Sequence, residues 1–261
     1  MKERLDILLV DRRLVESRSK AQWLIRNGYV LVNDVEIRRS GKKINDFDEI
    51  KLKQKFPYVG KGGLKLEAAL KSFSIDVKNK ICVDIGASIG GFTDCLLKHG
   101  ALKVYAVDTA MDLLHPSLRC EKMKNKVIPL LGIDARELKE LKEKADICTI
   151  DLTFASLKSI LPNVPNYLNK EGVIISLVKP LFETEFYNLS RYKIITNPEK
   201  LFQILKDLID WSVKKKIYPY GIIKSPLLGE KGRSIEFLIY FRIDNKNSNF
   251  FYEDAIKNVL N

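Results

Sequence analysis

A glycine-rich stretch that begins at residue 81 has the residue types and spacing of a ligand-binding turn. Ile81–Asp94 starts with apolar, β-prone residues, passes through Gly86, Gly90 and Gly91, and continues into a helical pattern. The turn of such a strand–turn–helix unit places backbone N–H groups and a helix N-terminus next to whatever lies above it. The glycines remove side chains where a ligand approaches the backbone closely. The alternative is an ordinary βα turn, because glycine-rich turns are common.

Two acidic residues and the glycine spacing distinguish between classes of cofactor. Dinucleotide sites show G-x-G-x-x-G, whereas this chain has Gly86-x-x-x-Gly90-Gly91, with Asp84 two residues before the first glycine. A carboxylate at Asp84 would repel a pyrophosphate but suits the ammonium of an amino acid. Asp108 ends the next apolar run, where a carboxylate suits the two donor hydroxyls of a ribose. S-adenosylmethionine carries an ammonium, a sulfonium and a ribose without phosphate, and is therefore the expected cofactor.

The charge of the chain favours a polyanionic partner. Among 261 residues, 45 are Lys or Arg and 33 are Asp or Glu, which gives a formal charge of +12. Over residues 1–65 there are 16 basic and 9 acidic residues, so that a net charge of +7 falls in a quarter of the chain. Such a concentration favours contact with RNA phosphates over the alternative, a solvated basic surface.

Composition also limits the compartment and the chemistry. Four cysteines form no C-x-x-C pair and only two histidines are present, so we expect core thiols in a reducing cytosol and no metal site. No apolar run approaches the roughly 20 residues that span a bilayer, and the charged N-terminus lacks the apolar core of a signal peptide. The expected protein is cytoplasmic and has no membrane partner; its oligomeric state stays open, with a monomer favoured.

Residues 1–55 have the pattern of a small α+β unit. A serine-capped helix that Gly28 ends is followed by three short strands, at residues 29–32, 35–37 and 49–52. Basic residues cluster on and beside the helix and in the loop after the second strand. A unit of this size is too small to be an enzyme, which supports a binding role.

Three motifs of this unit share a pattern with one RNA-binding fold. They are Arg4-Leu5-Asp6, Leu14-Val15-x-Ser17-Arg18-Ser19-Lys20-Ala21 and Gly28-Tyr29-Val30-x-Val32-Asn33. Together they resemble the S4 domain of ribosomal and RNA-modifying proteins, which implies that a basic pair of helices lies on structured RNA. The basic residues expected to contact RNA are Arg4, Arg12, Arg18, Lys20, Arg26, Lys42, Lys43 and Lys61.

The rest of the chain has the pattern of a larger α/β domain. Residues 56–63 have the composition of a linker, residues 64–245 alternate between strand and helix patterns, and residues 246–261 form a tail. The alternation predicts a Rossmann-like, mostly parallel sheet with helices on both faces and an antiparallel last strand. Strands are expected at Ile81–Ile85, Val104–Asp108, Val127–Leu131, Ile147–Asp151, Val173–Val178, Ile217–Lys224 and Ile235–Arg242. Helices are expected at Leu64–Leu70, Phe92–His99, Ala135–Lys144, Ser156–Leu161 and Pro198–Lys216.

Four charged residues are expected together at one edge of this sheet, because ligands of open α/β sheets bind beyond the carboxyl ends of the strands. Asp151 and Lys179 end the fourth and fifth strands, Glu236 begins the last strand, and Lys65 follows the predicted linker. Methyl transfer to a ribose hydroxyl needs a base, and a lysine serves when a second lysine nearby lowers its pKa by repulsion. We expect Lys179 to accept the proton, Lys65 to tune and orient it, and the carboxylates to hold the ammonium groups. Solvated strand-end charges are the alternative.

The sequence that follows the fourth strand discriminates among methyl acceptors. Methylation of exocyclic base amines usually goes with N/D-P-P-Y/F at this strand end, and C5 methylation of cytosine needs a cysteine nucleophile there. This chain has Asp151-Leu152-Thr153-Phe154 instead. Oxygen is the acceptor that remains.

Five further motifs follow in order, and together with the three of the first unit and Glu236 they extend from residue 4 to about residue 240. They are Val59-x-Lys61-Gly62-Gly63-Leu64-Lys65-Leu66, Asp84-Ile85-Gly86-Ala87-Ser88-x-Gly90-Gly91-Phe92-Thr93-Asp94-Cys95-Leu96-Leu97, Asp151-Leu152-x-Phe154-x-Ser156-Leu157, Val178-Lys179-Pro180-x-Phe182-Glu183 and Ser225-Pro226. This set resembles the TlyA-type, or haemolysin A, family, in which an S4 domain is joined to an FtsJ-like methyltransferase domain. The resemblance implies S-adenosylmethionine-dependent 2′-O-methylation of cytidine in 16S or 23S ribosomal RNA, or both. It also implies a K-D-K-E catalytic set at Lys65, Asp151, Lys179 and Glu236.

Two stretches of the chain depart from the family pattern, one of them beside the expected cofactor site. The resemblance places Asp134 near the adenine, and the family's usual VGxGQL after the second strand is replaced here by residues 109–114, TAMDLL. The stretch between Gly232 and Glu236 is one residue longer than usual, with Arg233 in place of asparagine. The residues expected at the cofactor are Asp84, Gly86, Ala87, Ser88, Gly90, Gly91, Phe92, Asp108, Asp134 and Asp151.

Two other functions stay open from the sequence. One is a non-catalytic RNA-binding assembly factor of the ribosome with a vestigial cofactor pocket, and the other is the membrane-lytic activity that the family's name suggests. A dead site has no physical need for four clustered charges, and the chain shows no evident amphipathic lytic helix. The methyltransferase is therefore the leading hypothesis.

Overall fold

The computed structural model describes residues 2–184, 194–229, 234–244 and 250–261. The chain divides into two compact units, Met1–Pro57 and Tyr58–Asn261. Each unit has a hydrophobic core of its own. Within the described residues, no helix is long and apolar enough to cross a membrane.

The first unit is the predicted α+β unit. The side chain of Ser17 caps its second helix by accepting from the Lys20 N–H at 3.4 Å, and Gly28 follows the helix with φ of +76°. Asn33 and Asp34 both have positive φ, which is the backbone of a two-residue hairpin turn. The elements are strand β1 (Lys2–Arg4), helices α1 (Leu5–Asp11) and α2 (Arg18–Arg26), and strands β2 (Val30–Val32), β3 (Val35–Glu36), β4 (Lys43–Asn45) and β5 (Ile50–Leu52).

The second unit is built on a seven-stranded sheet whose strands include all seven predicted ones. The strands are β6 (Ile81–Ile85), β7 (Lys103–Asp108), β8 (Val127–Leu131), β9 (Ala145–Ile150), β10 (Leu168–Val178), β11 (Tyr218–Lys224) and β12 (Phe237–Arg242). Their order in the sheet is β11-β12-β10-β9-β6-β7-β8, and β12 runs antiparallel to both of its neighbours, β10 and β11. The prediction of a mostly parallel sheet with an antiparallel last strand is confirmed.

Helices cover both faces of this sheet. Side chains of a strand alternate between its faces, and on β12 Phe237 and Phe241 join the core that contains the apolar side of α6, whereas Tyr240 contacts Phe73 next to α3. Helices α3 and α6 therefore lie on opposite faces. The helices are α3 (Gly62–Ser72), α4 (Gly91–Lys98), the short α5 (Pro116–Arg119), α6 (Pro198–Lys214) and α7 (Tyr252–Leu260).

Two predicted helices are wrong. Residues 135–144 form turns and bends, because only Ala135 and Leu138 of this Lys- and Glu-rich segment are buried and a short helix needs a packed apolar face. The predicted helix at Ser156–Leu161 is replaced by two 3-10 helices, Leu157–Ser159 and Leu161–Asn166. Proline at positions 162 and 165 lacks the N–H that an α-helix requires there.

The division between the two units falls within residues 56–63, the stretch expected to be a linker. Tyr58 is buried in the second unit and α3 begins at Gly62, so most of the expected linker is packed structure. The tail carries α7, whose Ile256 is buried in the core of the sheet. The longer stretch that includes Gly232 and Arg233 lies outside the described residues.

Candidate active site

The glycine turn lies where three parallel strands end. Gly86 has φ of +79°, and a Cβ atom on it would lie 2.2 Å from the carbonyl oxygen of Asp151. The N–H groups of Gly86 and Ala87 donate to the Val107 carbonyl at 2.9 and 3.0 Å. The turn therefore joins the carboxyl ends of β6, β7 and β9, and we refer to these ends, together with that of β10, as the rim.

A second set of glycines brings two helices together at the rim. Gly90, with φ of +92°, precedes α4, and a Cβ atom on Gly91 would lie 3.2 Å from the backbone nitrogen of Gly63. A Cβ atom on Gly62 would meet the Phe92 ring at 3.2 Å. The N-termini of α3 and α4 thus pack backbone against backbone. This contact, rather than linker flexibility, accounts for Gly62 and Gly63 at the start of α3, and it places the first turn of α3 at the rim.

Asp84 lies beneath the glycine turn and is fully buried. Its two oxygens accept hydrogen bonds from the hydroxyls of Thr93, at 2.6 Å, and Thr149, at 2.9 Å. Burial raises the pKa of Asp84 to about 6, against the hydrogen bonds from both threonines. The carboxylate links β6, β9 and α4, whereas its predicted contact with a cofactor ammonium stays a prediction.

The other two predicted cofactor carboxylates lie in loops beside the turn. Asp108 accepts from the backbone N–H groups of Ser88 at 2.7 Å and Ala110 at 2.8 Å, which leaves lone pairs on both oxygens. Asp134 accepts from the side chain of Arg136, which helps to hold the pKa of this carboxyl below its usual value. Three exposed apolar side chains lie in this region: Ile89 in the turn itself, and Met111 and Leu113 in the loop after β7.

The four predicted catalytic residues form two ion pairs at the rim. Lys65 Nζ lies 2.6 Å from Glu236 Oε2, and the two side chains are only 12% and 2% exposed. Lys179 Nζ lies 2.6 Å from Asp151 Oδ1. Burial raises the pKa of Glu236, the charges of Lys65 and Lys179 oppose that shift, and the charge of Asp151 adds to it. All four charges therefore act on one another.

The loop after β9 supplies further contacts that the sequence interpretation did not assign. Lys179 Nζ donates to the Leu152 carbonyl oxygen at 2.7 Å and to Thr153 Oγ1 at 3.2 Å. Phe154 has φ of +67° and is 54% exposed, and its ring lies beside that of Phe182 with 5.6 Å between the ring centroids. The aromatic residue directly after Asp151-Leu152-Thr153 is the signal in the sequence that could have indicated these contacts.

The buried pair of α3 and β12 gives a stability prediction. Replacing Lys65 with methionine leaves the Glu236 carboxylate buried without its partner, so we expect a loss of about 3–5 kcal/mol in the free energy of unfolding. Burial raises the pKa of Glu236, and without the charge of Lys65 nothing from that side opposes the shift. A carboxyl with a raised pKa is more fully protonated at low pH, and a neutral carboxyl needs no ion-pair partner. The loss should therefore be largest near pH 8 and smaller near pH 5. Urea unfolding at both pH values measures this difference.

A matched control separates burial from the loss of an ion pair. Lys124 and Glu121 form an exposed pair, so Lys124→Met should cost less than about 1 kcal/mol at either pH. Equal costs for Lys65→Met and Lys124→Met would show that the Lys65 pair is not an important part of the folded rim.

In the first unit, a buried carboxylate organises part of the predicted RNA surface. Asp6 accepts from Arg4 at 2.9 and 3.0 Å, from Arg18 at 3.2 Å and from Gln22 at 2.7 Å. Burial acts to raise the pKa of Asp6, but these hydrogen bonds hold it well below its usual range. Arg4, at the end of β1, is thereby fixed beside Arg18 and Gln22 on α2.

The remaining predicted RNA contacts fall into two groups. Arg12 donates to the carbonyl oxygens of Asp46 and Asp48, and Lys20 is buried with its Nζ 2.5 Å from Glu16. Both residues therefore hold the unit together. The other four are exposed and have no acidic partner among the described residues: Arg26, Lys42, Lys43 and Lys61.

Comparison with known proteins places the chain in a family. The model of the FtsJ-like methyltransferase family matches residues 58–243, which contain the glycine turn and both rim ion pairs. The chain belongs to the FtsJ-like methyltransferase family. The S4 domain model matches residues 3–50 of the same chain, so that an S4 domain precedes the FtsJ-like domain.

Several relatives match this chain over nearly its whole length. Hemolysin A of Brachyspira hyodysenteriae is 40% identical over 243 residues, which cover 92% of this chain and 100% of the relative. The 16S/23S rRNA (cytidine-2′-O)-methyltransferase TlyA of Mycobacterium tuberculosis is 29% identical over 263 residues, which cover 98% and 97%. The solved structure of a candidate hemolysin from Streptococcus thermophilus is 32% identical, with a TM-score of 0.71 over 99% of this chain and 95% of that chain. The resemblance to the TlyA-type family is confirmed.

Proposed function

We propose that this FtsJ-like protein uses S-adenosylmethionine to methylate the 2′-hydroxyl of cytidine in ribosomal RNA. The observation that carries the proposal is the pair of lysine–carboxylate contacts at the rim, directly beside the glycine turn. The name of the TlyA relative supports the choice of ribosomal RNA, cytidine and the 2′-oxygen.

The residues around the turn fit S-adenosylmethionine. Gly86 packs closely on the Asp151 carbonyl and so holds the turn at the rim, and Asp108 retains acceptor positions for two ribose hydroxyls. Asp134 lies in the loop that binds back to the Asp108 carbonyl through the Ile133 N–H at 3.0 Å, next to the apolar side chain of Met111. When bound, S-adenosylmethionine supplies a methyl group on a sulfonium, which is a strong electrophile.

The rim residues supply a base and hold it in place. A neutral alcohol is a poor nucleophile, so the 2′-hydroxyl must lose its proton as its oxygen attacks the methyl carbon. Lys179, in its neutral form, accepts that proton on Nζ, while Asp151, Leu152 and Thr153 fix the direction of the amine. Lys65 and Glu236 hold a second positive charge close by, which favours the anionic oxygen that develops during attack.

The positions of the cysteines agree with an oxygen acceptor. Methylation at C5 of cytosine proceeds through a cysteine nucleophile. Cys82, Cys95 and Cys148 are buried, and the exposed Cys120 follows α5 rather than a strand of the rim. A cysteine nucleophile is therefore absent from the described part of the rim.

The S4 unit gives a prediction about RNA affinity. Lys42 and Lys43 are exposed without an acidic partner in the described chain, so removing both as alanine should lower the slope of log affinity against log salt by about 1.4–1.8. Titration of ribosomal RNA at several salt concentrations measures the slope. Lys20→Ala is the matched control: because Lys20 is buried against Glu16, we expect lower thermal stability and little change in slope. The reverse order would contradict the assignment of this surface.

Transfer of a labelled methyl group tests the proposed function. Purified protein is incubated with labelled S-adenosylmethionine and either naked ribosomal RNA or isolated ribosomal subunits, and the methylated positions are mapped. The proposal expects label in ribosomal RNA at 2′-oxygens. RNA binding that is indifferent to S-adenosylmethionine, with no labelled product on any substrate, would favour a non-catalytic assembly factor instead.

A further inference from the structure

The loops that follow β9 and β10 are joined at several points along their length. At the rim, Lys179 binds Asp151, the Leu152 carbonyl and Thr153. Further on, the Phe182 ring lies 5.6 Å from the Phe154 ring. These contacts fix residues 151–154 relative to the amine that the proposed function uses as a base.

The far end of this junction is held by one carboxylate, Glu183. Its Oε2 accepts from the Ser156 hydroxyl at 2.6 Å, and its Oε1 accepts from the Leu157 N–H at 2.9 Å. Burial raises the pKa of Glu183, against these two hydrogen bonds and the charge of Lys158. Ser156 in turn accepts from the Lys158 N–H at 3.1 Å, at the start of the 3-10 helix Leu157–Ser159. The loop after β9 is thus tied to the loop after β10 on both sides of Phe154.

The loop between these ties has a conformation that needs support. Phe154 has φ of +67°, a region that costs a bulky L-residue of the order of 1–3 kcal/mol. The residue is more than half exposed, so burial of its side chain compensates little for this conformation. Contacts on either side of Phe154 must therefore hold the backbone in place.

We propose that Glu183 is a positioning residue, which holds the loop at residues 151–157 so that Leu152 and Thr153 direct the amine of Lys179 at the acceptor hydroxyl. The inference rests on the proposed function. Glu183 touches neither Lys179 nor the glycine turn in any described contact. Asp151 is tied to the sheet by its own N–H, which donates to the Ile85 carbonyl at 2.9 Å, so loss of Glu183 should displace the loop beyond Asp151 and leave the cofactor site unchanged.

The test compares Glu183→Ala and Glu183→Gln with the wild-type chain. Alanine removes both acceptors, and we expect the single-turnover rate to fall about 10- to 100-fold while the Kd for S-adenosylmethionine stays within about twofold. Glutamine keeps an acceptor oxygen, so its rate should recover to within about threefold of wild type. Glu143→Ala is the matched control, because Glu143 ties Lys103 to Tyr105 near the start of β7, away from the rim, and should leave the rate unchanged.

Hydrogen exchange separates this inference from the proposed function. The Leu157 amide should lose protection in Glu183→Ala and keep it in Glu183→Gln, whether or not the wild-type chain transfers methyl groups. Retained Leu157 protection in Glu183→Ala would overturn the inference, as would a wild-type rate or a rate loss matched by an equal loss of cofactor affinity. If neither the wild-type protein nor any variant methylated RNA, the proposed function would be overturned, and with it the positioning role of Glu183.

Discussion

Replacing Lys179 with alanine should lower the rate of methyl transfer about 100- to 10,000-fold, the range that a general base contributes. The amine is the group that removes the proton from the acceptor hydroxyl, and none of its described partners, Asp151, Leu152 and Thr153, offers a second amine. Affinity for S-adenosylmethionine should stay close to wild type, because the described contacts of Lys179 lie on the loop after β9 rather than on the glycine turn. Single-turnover kinetics and calorimetric titration of the cofactor measure the two quantities separately.

Lys179→Arg distinguishes proton transfer from charge. Arginine keeps the positive charge but is not deprotonated in proteins, so the variant should be nearly as slow as Lys179→Ala. Full activity in either variant would show that Lys179 is not the base.

Replacing Gly86 with alanine should abolish cofactor binding and lower the free energy of unfolding by about 2–5 kcal/mol. Two effects add: a Cβ atom on Gly86 would lie 2.2 Å from the Asp151 carbonyl oxygen, and the φ of +79° is unfavourable for any L-residue. The contact is with backbone, so β6 and β9 must move apart, and the turn and Asp151 move with them. Chemical denaturation and cofactor titration measure the two consequences.

Gly100→Ala is the matched control for the Gly86 prediction. Gly100 has φ of +90°, but its nearest neighbour would lie 3.5 Å from an added Cβ atom, at an ordinary contact distance. We expect a cost of about 1–2 kcal/mol with cofactor affinity preserved. If Gly86→Ala behaved like Gly100→Ala, the close approach of the turn to Asp151 would have no functional role.

The sequence predicts the central sheet well because its signals are local. Apolar runs of five or six residues, such as Ile81–Ile85 and Val127–Leu131, are separated by glycines and helical patterns, and both strands have the predicted bounds. The helix expected at residues 135–144 fails for the converse reason: its composition favours a helix, but only Ala135, Leu138 and the partly buried Leu141 pack against the core. Tertiary packing decides such segments.

Contacts between distant residues explain what the sequence could not predict at the site. The four candidate catalytic residues could be selected from the sequence by their charge and by their places at strand ends or, for Lys65, after the glycines. The pairing of Lys65 with Glu236 could not, because it joins positions 171 residues apart. The environment of Asp84 depends on Thr149, which is 65 residues away. Gly62 and Gly63 belong to a stretch with the composition of a linker, and only the fold shows that they begin α3 and pack against Gly91.

Identification of the methylated nucleoside tests the central claim most directly. Ribosomal RNA labelled by the purified protein is digested to nucleosides and analysed by mass spectrometry, with the Lys179→Ala protein as a parallel sample. The lysine–carboxylate rim predicts that the label is in 2′-O-methylcytidine and is absent from the Lys179→Ala sample. Label on the base, as 5-methylcytidine or N4-methylcytidine, would contradict the claim that these residues remove a proton from a ribose hydroxyl.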